Sequence, residues 1–363
     1  MSGTTPKRDP RIDLLRGMAL IVVFVNHIPG NCLSILTPSR WGLSDMAEVF
    51  VFFSGYVCGL TYGRELTTHG FIACQRKACG RVLELYLANV TVMTCVLVVL
   101  QSFAIAPPGY MSPHVVTVDS LHADLSSAIP GVLLLSVQTN HFAILPLYII
   151  LISVLPLVLA GLCVQPWLVL LASLTIYLCV QVWPEHLVIP SPWQDAWFFN
   201  PLAWQFLFYA GSAVSFLQWD RHLPHFGRAG AVAAAIVLNA VFLWRMLDPQ
   251  HAAVWSAKAT LAPLRVAHFA ILMCVARELV SINAHWLSSN WVKPLQWAGQ
   301  RSLWTYCLGG LLAISATFLM PAVSHTCASH GAMNVFCCVL LCFSAKGFDL
   351  AVRSGGMNGH SNK

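Results

Sequence analysis

The sequence predicts an all-α integral membrane protein, a bundle of about ten transmembrane helices with both N- and C-termini cytoplasmic. Charged residues make up 9% of the chain and hydrophobic ones 57%, with a mean hydropathy of +0.69, whereas soluble domains carry about 25% charged residues. Apolar runs of bilayer-crossing length recur from end to end, and the basic residues alternate in number from one side of those runs to the other.

The runs cover residues 12–28, 46–63, 82–106, 142–161, 165–183, 201–218, 229–247, 261–282, 301–320 and 332–352. A hydrocarbon core about 30 Å thick needs about 20 helical residues, so each is a candidate span. The closest pair separates at Pro166, which a helix accepts in its first turn and not in its interior. Residues 1–11 then form a short cytoplasmic tail, 12–353 one polytopic domain, and 354–363 a short polar tail.

Orientation follows from the basic residues, which accumulate in cytoplasmic loops. With the N-terminus inside, every Lys and Arg falls in an inner segment except Arg40, Arg245, Lys258 and Arg265. The longest outer loop, residues 107–141, contains neither. Lys7, Arg8 and Arg11 before Gly17–Ile28 resemble the start of a signal peptide. The following PGNCLS offers no small-x-small cleavage site, so the first run is expected to be retained.

The 13 cysteines form no C-x-x-C pair, and the histidines show no metal-binding spacing, so no metal or bound cofactor is expected. Only Cys32 and Cys327 fall in outer loops, where a bridge between them is open; the others read as small apolar filler. No nucleic-acid partner is expected. Homo-oligomer formation stays open.

Polar side chains in the first two helices carry the chemistry. In RIDLLRGMALIVVFVNHIPGN, Asp13 and Arg16 share a face, and His27 lies eleven residues beyond Arg16, nearly on that face and about 16 Å further along. The next helix opens SDMAEVF with Asp45 and Glu48 three apart. The chain leaves the membrane after His27 and returns near Asp45, so an imidazole and two carboxylates share the outer level. That combination suits a general base and its orienting partner. The bland alternative has His27 bonded to a carbonyl and Glu48 reaching the interface. On the inner side Arg76, Lys77 and Arg81, with Arg16, suit a polyphosphate, although positive-inside charge and anionic head groups explain basic loops equally well.

Six segments, RIDLLRGMALIVVFVNHIPGN, WGLSDMAEVFVFFSGYVCGLTYGR, NHFAILPLYIILI, WFFNPLAWQFLFYAG, TLAPLRVAHFAIL and WAGQRSLWTYCLGG, resemble the OpgC family within the wider acyltransferase 3 group of membrane acyltransferases. Arg16 and His27, with ten residues between them, are similar to that group's R/K-x10-H hallmark. The resemblance implies a ten-helix enzyme of the bacterial inner membrane that moves an acyl group, succinyl in family members, from cytoplasmic acyl-CoA to hydroxyls of a periplasmic glucan. It also implies His27 as the catalytic residue and an inner Arg-rich loop that handles CoA.

Under that reading His27, held by Asp45 or Glu48, deprotonates the sugar hydroxyl for attack on the thioester, with Arg16, Arg76, Lys77 and Arg81 on the donor. An acyl-histidine intermediate is the mechanistic competitor. Asn26, Arg265 and His268 are candidate oxyanion donors, the last two also acceptor contacts. Asn200, Trp204 and Gln205 in FFNPLAWQF are further candidates to stack on and bond a sugar, against the ordinary preference of Trp for interfaces. A transporter or flippase of a small anion or glycan precursor is the rival function, since intramembrane ionisable residues also mark transport pathways.

Overall fold

A computed structural model describes residues 9–28, 31–102, 125–139, 141–189, 197–221, 227–282, 287, 289–323 and 326–358. Among them the helices are α1 (Pro10–Asn26), α2 (Pro38–Trp41), α3 (Met46–Ser102), α4 (Leu125–Leu133), α5 (Ile144–Val164), α6 (Pro166–Val182), α7 (Pro201–Phe216), α8 (Gly227–Leu247), α9 (Pro249–Trp255), α10 (Pro263–Ile282), α11 (Lys293–Gln300), α12 (Ser302–Val323) and α13 (Cys327–Asn358). No strand occurs among the described residues.

The described part of every apolar run read from the sequence falls mainly in one of these helices, and among the described residues five helices are long and apolar enough to cross a membrane. The chain is a multi-pass membrane protein. Helices α1, α6 and α7 have 17, 17 and 16 residues, below the roughly 20 that span a full hydrocarbon core. Leu157, Leu168, Leu171, Ile236 and Val339 stand exposed, an arrangement that water penalises and lipid accepts.

At the ends, α1 already begins at Pro10 and α13 continues to Asn358, inside the segments expected to be tails. Of the expected outer loop, residues 107–124 and 140 lie outside the described residues, as do 1–8 and 359–363.

Helix α3 contains two of the runs. Straight, its 57 residues would extend about 85 Å, far more than a bilayer. Gly70 breaks it at φ +83°, a conformation that favours glycine. Lys77 Nζ meets Glu65 Oε2 at 2.8 Å, although twelve residues of straight helix would separate them by about 18 Å. The two halves therefore fold back on each other as a hairpin.

The hairpin packs on α5 and α7. Leu145, Leu147, Leu151, Leu155 and Leu159 bury one face of α5 against it. The α3–α7 crossing is tight on both sides: a Cβ on Gly55 would collide with the Phe208 carbonyl, and one on Gly211 with the Phe52 carbonyl. Small residues of this kind let helix backbones approach where lipid supplies no hydrophobic drive. Gly211→Leu is expected to cost about 1–3 kcal/mol or more by overpacking, read as a lower melting temperature in detergent. Gly80→Leu, at a position with open space around it, is the control and should leave melting unchanged.

Helix α1 runs against α3, α11 and α12, with Gly17 and Gly299 making the same kind of close crossing between α1 and α11. Beyond α1 the chain is tied to the start of α13. Cys32 and Cys327 form a disulfide, and Asn31 Nδ2 donates to Asn334 Oδ1 at 3.0 Å. The bridge left open by the sequence is thus present, and it fixes the segment that follows His27.

Candidate active site

His27 ends α1. Its backbone N–H still bonds into the last turn, and its Nδ1 lies 2.6 Å from the Val23 carbonyl one turn back. A carbonyl only accepts, so Nδ1 carries the proton and a neutral ring keeps its lone pair on Nε2. His27 is half-buried in a niche lined by Leu20, Val23, Phe24, His141, Thr305 and Tyr306. The His141 ring stands 4.9 Å from the His27 ring. The niche leaves about 10 Å³ of space, room for about one water molecule.

Toward the other end of α1 lies a cavity of about 500 Å³ between α1, the α3 hairpin, α5 and α12. Arg16, Arg81, Glu84 and Arg301 supply its charge, and Val57, Ile144, Leu145 and Phe208 its apolar wall. Arg16 lies over the Phe50 ring at 5.8 Å, and Arg81 Nη1 bonds Glu84 Oε2 at 2.6 Å. Tyr306 borders both this cavity and the His27 niche, and its hydroxyl donates to the His141 carbonyl. One side chain thus stands between the two spaces.

The residues expected at the donor end divide. Arg16 and Arg81, 65 positions apart, come together on the cavity wall. Arg76 and Lys77 are exposed near the Gly70 turn, away from the cavity lining, with Lys77 paired to Glu65. Arg301, which sequence reasoning left among ordinary inner-loop charges, joins the wall and is held by Asp349 at 2.9 Å.

The expected partnership of His27 with Asp45 and Glu48 gives way to a different arrangement. Glu48, 0% exposed, accepts from Arg265 Nε at 2.5 Å and from the Asp45 backbone N–H at 2.8 Å. Asp45 accepts from Lys258 Nζ at 2.7 Å and from the Ala47 N–H at 2.7 Å, with Arg265 Nη2 3.4 Å away. Burial alone would push the Asp45 carboxyl up; the charges of Lys258 and Arg265 outweigh it and hold the group below the ordinary carboxylate range. Buried carboxylates require cations, and these come from chain more than 200 residues away. The pair caps and anchors the start of α3.

The acceptor and oxyanion candidates are likewise engaged. Asn26 Oδ1 accepts from Thr37 Oγ1 at 2.7 Å, and His268 Nδ1 lies 2.7 Å from Ser44 Oγ. Asn200 caps α7 through the Leu202 N–H and donates to the Leu187 carbonyl. Trp204 is 0% exposed, its Nε1–H on the Lys258 carbonyl at 3.0 Å, and Gln205 exchanges two bonds with Ser173. These last three hold the interior together. Trp204 and Asn200 also grip the backbone at 258–259, which sets the place of Lys258.

Sequence reasoning missed His141 and Tyr306. An ionisable residue at the mouth of an apolar run was a usable signal for His141; Tyr306 looks like any aromatic in a membrane helix. No curated protein and no solved structure matches the chain. A family model, that of the OpgC protein, matches residues 8–352, from just before α1 to the last turns of α13. That span takes in the cavity, the niche and the Asp45–Glu48 ion-pair cluster alike, and the chain belongs to the OpgC protein family.

Proposed function

We propose that the protein is a ten-crossing O-acyltransferase of the bacterial inner membrane, with cytoplasmic termini and a place in the acyltransferase 3 superfamily. It moves an acyl group, succinyl on the family resemblance, from cytoplasmic acyl-CoA to a hydroxyl of a periplasmic glucan or other envelope glycan. One observation carries the reading: a cavity bearing Arg16 and Arg81 shares the Tyr306 wall with the niche of His27.

The guanidinium groups suit the anionic part of CoA, and the apolar wall suits the acyl-bearing arm. The thioester reaches His27 only after Tyr306 leaves the His141 carbonyl, because the niche is too small for it. His27 Nε2 then takes the proton of the sugar hydroxyl as its oxygen attacks the thioester carbon. Collapse of the tetrahedral adduct breaks the carbon–sulfur bond, and the CoA thiolate recovers the proton from His27. The Val23 carbonyl keeps the ring in the required tautomer and stabilises the imidazolium between the two proton transfers.

Mass spectrometry of envelope glycans from a strain lacking the gene, with and without the gene restored, tests the reaction. An acyl mass on the glycan is expected only where the gene is present; identical glycan masses contradict the proposal. In turnover assays Arg81→Gln is expected to raise KM for acyl-CoA about tenfold with kcat little changed, the worth of one charge-assisted hydrogen bond.

A further inference from the structure

The four basic residues that break the inner-side rule, Arg40, Arg245, Lys258 and Arg265, converge although they come from separate stretches of chain. Arg245, Lys258 and Arg265 line a cavity of about 320 Å³ together with Asp45, Ser39 and Ser256. Arg40 and Arg265 are both close enough for their charges to act on Arg245. Basic residues on the outer side of a membrane protein are few, and a meeting of all of them calls for a reason other than topology.

The charges do not cancel. Asp45 and Glu48 compensate Lys258 and Arg265. Arg245 donates to the carbonyls of Ser39, at 2.9 Å, and Gly42, and no carboxylate among the described residues bridges to it or to Arg40. Asp248, at the start of α9, is turned to His251 at 2.8 Å. Three cations and one carboxylate therefore line a partly enclosed space, and with Glu48 taken up by Arg265 the Arg245 charge is left to backbone carbonyls, where positive charge is costly without an anion. No aromatic ring lines the cavity, so it lacks the stacking platform that suits a neutral sugar. Its volume is at the lower end of the roughly 300–1,000 Å³ of small-molecule pockets.

We infer that this outer cavity binds a sugar bearing an oxyanion, a carboxylate or phosphate, with Arg245 taking the charge, Arg40 adding its field from outside the lining, and the serine hydroxyls the sugar. As the anchoring site of the acceptor it rests on the acyl-transfer reading; as an anionic-sugar site it stands without it. No acyl-CoA enters its test, so failure of one reading leaves the other measurable.

The test is the melting temperature of the full chain in lipid nanodiscs, titrated with glucose 6-phosphate, glucuronate, glucose and inorganic phosphate. Glucose 6-phosphate and glucuronate are expected to raise it saturably, glucose not at all, and inorganic phosphate less than the sugar phosphate. Arg245→Gln should abolish the response and Arg40→Gln, at an exposed position, should weaken the apparent affinity several-fold without changing the unliganded melting temperature. Arg81→Gln, which alters only the inner cavity, should leave the response intact. An equal response to glucose, a response that survives both outer substitutions, or one removed by Arg81→Gln overturns the inference. So does a response that inorganic phosphate reproduces in full, which would mark an ion site without a sugar.

Discussion

His27→Ala is expected to lower kcat for acyl transfer by about 10²–10⁴-fold, the usual worth of a positioned general base. KM for acyl-CoA should stay within about twofold, since uniform binding is unaffected when a residue acts only in the transition state. Arg16 and Arg81 line the large cavity and His27 does not, so the donor contacts remain. Folding should also survive, because the His27 ring bonds to Val23 in its own last turn. Initial rates in nanodiscs with saturating acyl-CoA and a glucan oligosaccharide check this. Retention of half the wild-type rate would remove His27 from the chemistry.

Arg265→Gln is expected to destabilise the fold by about 3–5 kcal/mol, the cost of stranding a buried charge. Glu48 is fully buried, and Arg265 Nε is the cation on it at 2.5 Å. The start of α3 and the loop carrying Lys258 depend on the same knot, so the melting temperature should fall well beyond that of a surface substitution. Adding Glu48→Gln should recover much of the loss, since removing both charges is far cheaper than removing one. If the single variant melts with wild type, the ion pair contributes nothing to the fold.

Much of the architecture was legible because helix periodicity and bilayer thickness are local properties. The described part of each apolar run falls mainly in a helix, as its length and composition led one to expect. The same local reading singled out Arg16, which lines the large cavity. Partner choice is not local. Asp45 and Glu48 share a face as expected, but a helical face does not say which neighbour it meets, and their cations stand 213 and 217 residues away. Trp204 and Asn200 show a related limit. An aromatic and an amide at a helix start look alike in sequence whether they hold a sugar or the backbone at 258–259. The Tyr306 partition depends on three helices meeting around one ring, and nothing in the residues near 306 announces it.

Transfer across the bilayer is the centre of the proposed mechanism, with donor and acceptor reaching His27 from opposite sides. Sealed inside-out vesicles, with the glucan acceptor trapped in the lumen and acyl-CoA carrying an isotope in its acyl group added outside, test it directly. Labelled glucan is expected in the lumen with wild-type protein and not with His27→Ala, while the added CoA stays outside. Label that reaches the glucan only when donor and acceptor share one side would contradict transfer through the bundle.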